Sequence, residues 1–476
     1  MSLWDPGWYD GHWTLNYSLL FAPIAATLGI AATDVLCAAL ASWAFDRLVV
    51  GPFGVAGRIG AIVFAAGTLV QVAIGRVPFL LGVALALLAL LAALRSRRKG
   101  FGWLALSLVL ALAASLASPL AGAFLGLAAL AWLLGDLPQR NLRAGALFAA
   151  ASLPVVALEL LFPAPGRMPF ATANLVGMLI ALAAAGLLLT PALRTLRIAF
   201  ALYAVALVGC YVVPSALGGN ITRLGSTVGL GLVLGLPLAR RGTSGAHRLR
   251  APLLLAIAVV PLALAQWSPA ANALLGSSDP ASSAAYFRPL LAYLEPHDRP
   301  LGRIEVVPTA DHWEADYVAI ALPLARGWER QLDTVEDSIF YDHRALTAGS
   351  YRAWLERNGV RFVALADAPL DYAGVREGRL VSAGVPGLKL VWRNADWRVY
   401  QLLGAPGILD GAGRLVSARG STVVLSATRP GKLLLRIHYA SAWHVHSGRA
   451  ALSRSAGGWI ELDARRAGPI VLRLSL

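Results

Sequence analysis

The residues of this chain best equipped for chemistry are few and widely spaced. Asp5 and Asp10 lie in Trp4-Asp5-Pro6-Gly7-Trp8-Tyr9-Asp10-Gly11-His12-Trp13. A carboxylate on such a loop can take a proton from a hydroxyl, with Asp5 behind Asp10 and His12 beside it to meet a metal or a phosphate. Asp10-Gly11 is equally a turn-forming pair. Arg76, in Gly75-Arg76-Val77-Pro78-Phe79, and Arg223, in Gly219-Asn220-Ile221-Thr222-Arg223-Leu224-Gly225, stand apart from the other basic residues. An isolated guanidinium can grip two phosphate oxygens at once, or snorkel to lipid headgroups. Glu159 falls inside an apolar run, where an ionisable group is a functional candidate and pairing with Arg167 is the structural alternative. Further on, His312, Trp313 and Glu314, with Arg326 and Trp328, combine aromatic faces with a carboxylate and a guanidinium. Such sets stack on and hydrogen-bond to sugars, and they also build domain interfaces. His444 and His446 share one strand face, but two ligands without a third make a poor metal site.

The elements that carry these residues are dictated by composition. Of 476 residues 57% are hydrophobic and 14% charged, which suits a chain dissolved largely in lipid. Ten apolar stretches read as membrane helices: 34–50, 55–75, 79–94, 101–117, 120–135, 144–162, 172–190, 198–213, 226–239 and 251–267. Arg47, the Arg95 to Lys99 cluster, Arg140, Arg143, Arg194, Arg197, Arg240, Arg241, Arg248 and Arg250 fall at alternate ends, which the positive-inside rule assigns to the cytoplasm. The formal charge of +15 is therefore a matter of topology, and no nucleic-acid partner is expected. Cys37 and Cys210 each sit in an apolar run and suggest neither a disulfide framework nor a metal site.

The pattern predicts four regions. Residues 1–33 form an outer-face loop and an interfacial helix, 34–267 a transmembrane bundle, 268–403 an extracytoplasmic α/β domain and 404–476 a β-sandwich. Export of the aromatic loop leads to the expectation that an apolar helix is encoded ahead of Met1. The expected location is the plasma membrane, multi-pass, with the C-terminal region outside.

The segments Tyr9-Asp10-Gly11-His12, Tyr17-Ser18-Leu19-Leu20-Phe21-Ala22-Pro23, Gly75 to Phe79, Gly219 to Gly225 and Leu324 to Asp333, in this arrangement, resemble the GT-C superfamily of glycosyltransferases that use polyprenyl-phosphate sugars, and more closely membrane proteins of that class of actinobacterial type. The likeness spans nearly the whole chain. It departs from the superfamily pattern in carrying single acidic residues where many members have an acidic pair. The resemblance implies transfer of a sugar from a lipid-linked donor to an envelope glycan or glycolipid acceptor. Asp10 is then the base, Arg223, Arg76 and His12 contact the donor phosphate, and His312, Trp313, Glu314, Arg326 and Trp328 meet the acceptor. A divalent cation is left open as cofactor. Two other readings stay open, a transporter or flippase and a non-catalytic envelope scaffold. The helices have little midplane charge and no evident repeat, which is unlike a transporter. No Walker loop, dinucleotide fingerprint, serine nucleophile elbow or HExxH motif occurs.

Overall fold

The computed structural model describes residues 4–5, 7–13, 17–136, 141–162, 166–236, 245–298, 301–419 and 421–474. The chain folds as two compact units, one of Leu15–Gly276 and one of Met1–Thr14 with Ser277–Leu476. Arg140, Arg240 and Arg241 of the charge pattern lie outside the described residues.

The first unit is helical: α1 (Phe21–Leu28), α2 (Ile30–Ala73), α3 (Val77–Lys99), α4 (Phe101–Ala117), α5 (Pro119–Gly135), α6 (Leu142–Leu161), α7 (Thr172–Leu188), α8 (Arg194–Val212), α9 (Leu230–Gly235) and α10 (Gly245–Gly276). Five helical runs, Ile30–Ala73, Val77–Lys99, Leu142–Leu161, Pro191–Val212 and Ala251–Gly276, are long and apolar enough to cross a membrane, and α4, α5 and α7 are shorter apolar helices. The stretches read as 34–50 and 55–75 are the two halves of α2, which breaks at Gly54 (φ 60°, ψ −130°) two residues after Pro52. Proline removes a helix hydrogen bond, and glycine alone adopts that backbone angle without strain. The stretch read as ending at Trp267 continues as helix to Gly276, since Ala271, Ala273, Leu274 and Leu275 prolong the helix-forming pattern.

Small residues let these helices approach. A side chain at Gly60 would lie 2.2 Å from the carbonyl oxygen of Gly231, so α2 and α9 touch backbone to backbone. Buried hydroxyls find carbonyl partners: Ser107 Oγ donates to Ala89 O at 2.8 Å and Ser115 Oγ to Ala151 O at 2.8 Å.

The second unit begins with the two-residue strands β1 (Trp4–Asp5) and β2 (His12–Trp13), paired antiparallel with Asp5 opposite His12. The N-terminal segment expected as a separate outer loop thus folds with the C-terminal unit. Gly7 O accepts from Leu324 N at 3.0 Å, and Trp8 Nε1 donates to Ala315 O at 3.0 Å. Gly327 makes room for the Trp8 ring, which would lie 2.5 Å from any Cβ placed there.

After Gly276 come α11 (Ala284–His297), β3 (Arg303–Val306), α12 (Glu314–Tyr317), α13 (Arg330–Glu336), α14 (Ala348–Arg357), β4 (Val360–Ala366), α15 (Val375–Ala383), β5 (Leu388–Arg393) and β6 (Trp397–Leu402). Their sheet runs β3-β4-β6-β5, with β3 and β4 parallel and the other pairs antiparallel. Ile304, Phe362, Ala364, Trp397 and Val399 pack beneath Phe287 and Leu290 of α11. The remaining strands are β7 (Leu409–Gly411), β8 (Gly413–Arg419), β9 (Thr422–Ala427), β10 (Gly431–His438), β11 (Trp443–Ser447), β12 (Ala450–Arg454), β13 (Trp459–Ala464) and β14 (Gly468–Leu474). They form two four-stranded sheets, β12-β13-β10-β7 and β11-β14-β9-β8. Alternate residues of both, among them Val423, Leu425, Leu433, Leu435, Ile460, Leu462, Ile470 and Leu472, fill one shared core, the arrangement of a sandwich.

Candidate functional site

In the helical unit the sequence brings Arg76 and Arg223 into one neighbourhood. Arg76 occupies the loop between α2 and α3, just before Val77-Pro78 opens α3. One turn into α3, the Phe79 ring centroid lies 5.8 Å from Arg223 Cζ. Arg223 follows the 3₁₀ turn Gly218–Thr222 and precedes a π turn at Gly225–Gly229. Tyr203 fixes that connection, its hydroxyl donating to Ile221 O at 2.9 Å and accepting from Gly225 N at 3.1 Å. Gly218 (φ 35°) is needed there because a Cβ would lie 2.0 Å from Met168 O. Tyr17 joins the group, with its hydroxyl 2.7 Å from Ser118 Oγ and its oxygen near enough to favour the Arg223 charge.

Both guanidinium groups are half-buried, and no described carboxylate pairs with either. Burial first, and the Arg223 charge second, hold Arg76 down at about 10, while the Tyr17 oxygen acts the other way. Two desolvated cations that repel each other form a ready site for an anion. A phosphate, with three acceptor oxygens, fits a pair of guanidinium forks.

Asp10 lies in the other unit, where it is 5% exposed. It sits in the turn Trp8–Gly11, closed by Gly11 N to Trp8 O at 2.9 Å, with Tyr9 (φ 48°) and Asp10 (φ 62°) both left-handed. Non-glycine residues in that region carry strain of order 1–3 kcal/mol each, and they persist where the surroundings hold them. Here Asp10 Oδ1 is 2.8 Å from Arg303 Nε in a buried ion pair. Asp10 O accepts from His438 N at 3.1 Å. With the Asn358 amide oriented by its neighbours, its nitrogen donates to Asp10 Oδ2 at 3.0 Å and its oxygen accepts from Trp354 Nε1 at 2.9 Å. Burial pushes the Asp10 carboxyl up to about 7, with Arg303 and then Arg357 pulling against it. Asp10 is thus a held, desolvated carboxyl rather than a free loop residue. The side chains of Asp5 and His12 lie outside the described residues.

The five residues read as acceptor contacts divide. His312 (φ 58°), Trp313 and Glu314 are adjacent, with His312 Nδ1 3.2 Å from Glu314 Oε1 and Nε2 3.5 Å from Asp371 Oδ2. Burial alone would lower the His312 imidazole, but Asp371 and Glu314 overcome it and raise it to about 9. Arg330 joins them at 2.7 Å from Asp371 and 3.1 Å from His312 Nε2. Trp313, 38% exposed, stacks on Tyr317, and Trp328, 59% exposed, presents its ring to the surface.

Arg326, like Glu314, is 4% exposed, unlike the two tryptophans. Its Nε and Nη2 donate to Asp333 at 3.0 and 2.8 Å, Nη1 donates to Glu377 at 3.0 Å, and Glu305 stands 3.7 Å away. Phe340 lies under it at 3.9 Å. The surroundings occupy this guanidinium, and it organises the interior of the unit. Burial raises the Glu305 and Glu377 carboxyls, so the cluster holds protons whose loss would leave two negative charges unbalanced by Arg326. Glu159 is exposed near the end of α6.

Arg303, Asn358 and Asp337 escaped the sequence reading. Arg303 opens a short strand, and nothing in Arg303-Ile304-Glu305-Val306 distinguishes a buried arginine from an edge one.

No family model and no curated protein matches the chain. Among solved structures it is similar to the arabinofuranosyltransferase AftD from mycobacteria, with a TM-score of 0.42 and 19% identity over 87% of this chain. The chain spans 39% of the length of that protein.

Proposed function

We propose that this chain is a membrane glycosyltransferase that moves a sugar from a polyprenyl-phosphate donor to a cell-envelope glycan or glycolipid. The observation that carries the reading is the pair Arg76 and Arg223, two desolvated cations beside Tyr17 with no described carboxylate to balance them. A lipid phosphate supplies the missing negative charge and an apolar tail suited to the surrounding helices. In this reading ten helical passes cross the membrane, α1 lies at the interface, and the C-terminal unit is outside the cell.

In the transfer, the acceptor oxygen bonds to the anomeric carbon as the bond from that carbon to the phosphate oxygen breaks. The phosphate leaves with its electron pair, and Arg76 and Arg223 stabilise that charge. Asp10 is assigned the acceptor hydroxyl proton. A carboxyl near 7 suits that task, since a base is most effective when its affinity for protons matches the working pH. Arg303 and Asn358 fix its two oxygens. His312, Trp313, Glu314 and Trp328 remain proposed acceptor contacts, and the density of buried partners around Arg326 gives that residue a supporting role.

The test is envelope glycan analysis in a deletion strain complemented with Asp10→Asn or Arg223→Ala at matched expression. Loss of a general base lowers transfer by roughly two to four orders of magnitude, so Asp10→Asn should restore almost none of the product. Full restoration of the wild-type profile by both variants would remove the reading.

A further inference from the structure

Within the C-terminal unit, the strained turn at Tyr9 and Asp10 borders a cleft of about 340 Å³. That volume is at the lower end of the range for small-molecule sites, roughly 300–1,000 Å³. Asp10 and Asp337 contribute carboxyl groups to its lining, and the sandwich contributes His438 and Trp459. No motif in the sequence points to it, because its walls come from segments far apart in the chain.

The lining has three properties that select a ligand. The rings of His438 and Trp459 lie 4.6 Å apart, tilted by 43°, and form an aromatic wall. Asp337, 4% exposed, accepts from Trp354 Nε1 at 2.7 Å through Oδ1, yet its Oδ2 has no hydrogen-bond partner. A buried carboxyl oxygen left this way costs roughly 1–3 kcal/mol, which a ligand hydroxyl would recover. At the mouth the exposed side chains of Glu336 and Arg357 carry opposite charges, while Arg303 balances Asp10 behind the wall. An anion entering there would meet the Glu336 carboxylate. No described group of three His, Cys, Asp or Glu side chains is placed to hold a metal ion.

We propose that this cleft binds one uncharged sugar residue, its ring against Trp459 and a hydroxyl on Asp337. Stacking on an indole with hydroxyls bonded at the ring edge is how an aromatic and carboxyl wall takes a polyhydroxylated ligand. Identifying this sugar as part of the acceptor glycan rests on the transfer reading above. The sugar site itself rests on the cleft.

The experiment uses the full chain in nanodiscs and saturation-transfer NMR with a panel of methyl hexopyranosides and methyl pentofuranosides, with inorganic phosphate as the charged control. At least one glycoside should bind with a Kd on the order of 1 mM, and Trp459→Ala should weaken it at least tenfold. Ser338→Tyr fills the mouth from an exposed position and spares the core, so it should weaken the same glycoside at least fivefold with an unchanged unfolding transition. Arg223→Ala should leave this binding unaltered. Binding that survives both cleft variants, phosphate binding lost in both, or no glycoside bound by folded protein would each overturn the proposal. If glycosides bind the cleft while Asp10→Asn and Arg223→Ala restore the envelope glycan, the transfer reading fails and the sugar site stands. If those variants abolish the glycan while the cleft variants bind glycosides normally, only the cleft proposal fails.

Discussion

Arg303 Nε lies 2.8 Å from Asp10 Oδ1 with both side chains buried, and the same guanidinium donates to Asn358 O at 2.8 Å and to Arg436 O. One cation therefore ties the N-terminal turn, the end of α14 and strand β10 together. Its loss and the loss of its partner have different consequences. Asp10→Ala leaves Arg303 buried without its counter-charge, a change that costs roughly 3–5 kcal/mol. Asp10→Ala with Arg303→Met removes both charges and should be more stable than Asp10→Ala alone. Chemical denaturation of the purified chain, read by tryptophan fluorescence, checks the order. A double variant less stable than the single one would show that the ion pair is not the controlling contact.

Burial also makes the Asp10 contribution pH-dependent. Its carboxyl rises from 3.8 to about 7 on folding, so its contribution to stability is fully present below about 4 and is lost as pH rises through about 7. The stability of the wild type relative to Asp10→Asn should accordingly fall across that window and level off above it. A difference independent of pH between 4 and 8 would place the carboxyl at its ordinary value.

His312 gives the opposite kind of group a similar direction. Its imidazole is raised from 6.5 to about 9 against the opposing effect of burial, by Asp371 and Glu314. The stabilisation it provides is complete below about 6.5 and disappears as pH rises through about 9. His312→Asn is the useful variant because asparagine tolerates the left-handed backbone (φ 58°) that His312 adopts. The Tm difference between wild type and His312→Asn, measured from pH 6 to 10, should shrink toward the alkaline end. A constant difference would mean that His312 acts by packing alone.

Composition made the helical unit legible, because helices able to cross a membrane need long apolar runs and the chain supplies them. The Asp10 turn was legible as a turn from Asp10-Gly11, and the structure shows the hydrogen bond that closes it. What could not be read was its environment. Arg303 and Asn358 are ordinary polar residues in sequence and become partners of Asp10 only when β3 and the end of α14 converge. Arg326 looked like surface equipment beside Trp328, yet the carboxylates that bury it, Glu305, Asp333 and Glu377, come from three separate elements. Long-range charge pairing leaves no periodic trace in a sequence, whereas amphipathic and apolar periodicity does.

The α2–α9 contact is a packing prediction. Because a Cβ at Gly60 would lie 2.2 Å from Gly231 O and 2.7 Å from Gly235 Cα, Gly60→Val must push two backbones apart. Gly102, with nothing within 4 Å of an added Cβ, is the matched control. Thermal unfolding in detergent should show a large loss for Gly60→Val and little change for Gly102→Ala. Equal melting of the two variants would mean that α2 and α9 can separate at no cost.

The proposal that the C-terminal unit lies outside the cell rests on basic residues clustering at alternate helix ends. Ser278, exposed just after α10, tests it without disturbing a core. In a background carrying Cys37→Ala and Cys210→Ala, Ser278→Cys should react with a membrane-impermeant maleimide in intact cells. Protection until the cells are lysed would reverse the topology.

Arg76 and Arg223 support the donor assignment, and each should show a binding defect of its own. Removing a charge-assisted contact to phosphate costs roughly 1.5–3 kcal/mol, about 10- to 150-fold in affinity. Arg223→Ala should therefore weaken polyprenyl-phosphate binding by that amount, and Arg76→Ala by a similar one. Because each arginine now repels the other, the first removal also relieves the second, and the double variant should lose less than the sum of the two single losses. Arg223→Lys should recover only part of the affinity, since an ammonium is a point charge without the planar fork. Tyr17→Phe removes only a neutral hydroxyl near Arg223, 2.7 Å from Ser118 Oγ, so it should cost less than either arginine. The measurement is equilibrium binding of a fluorescent polyprenyl phosphate to protein in nanodiscs, with the dephosphorylated polyprenol as control. If wild type and both alanine variants bind phosphate and alcohol alike, the two arginines are headgroup anchors, and the donor site is elsewhere.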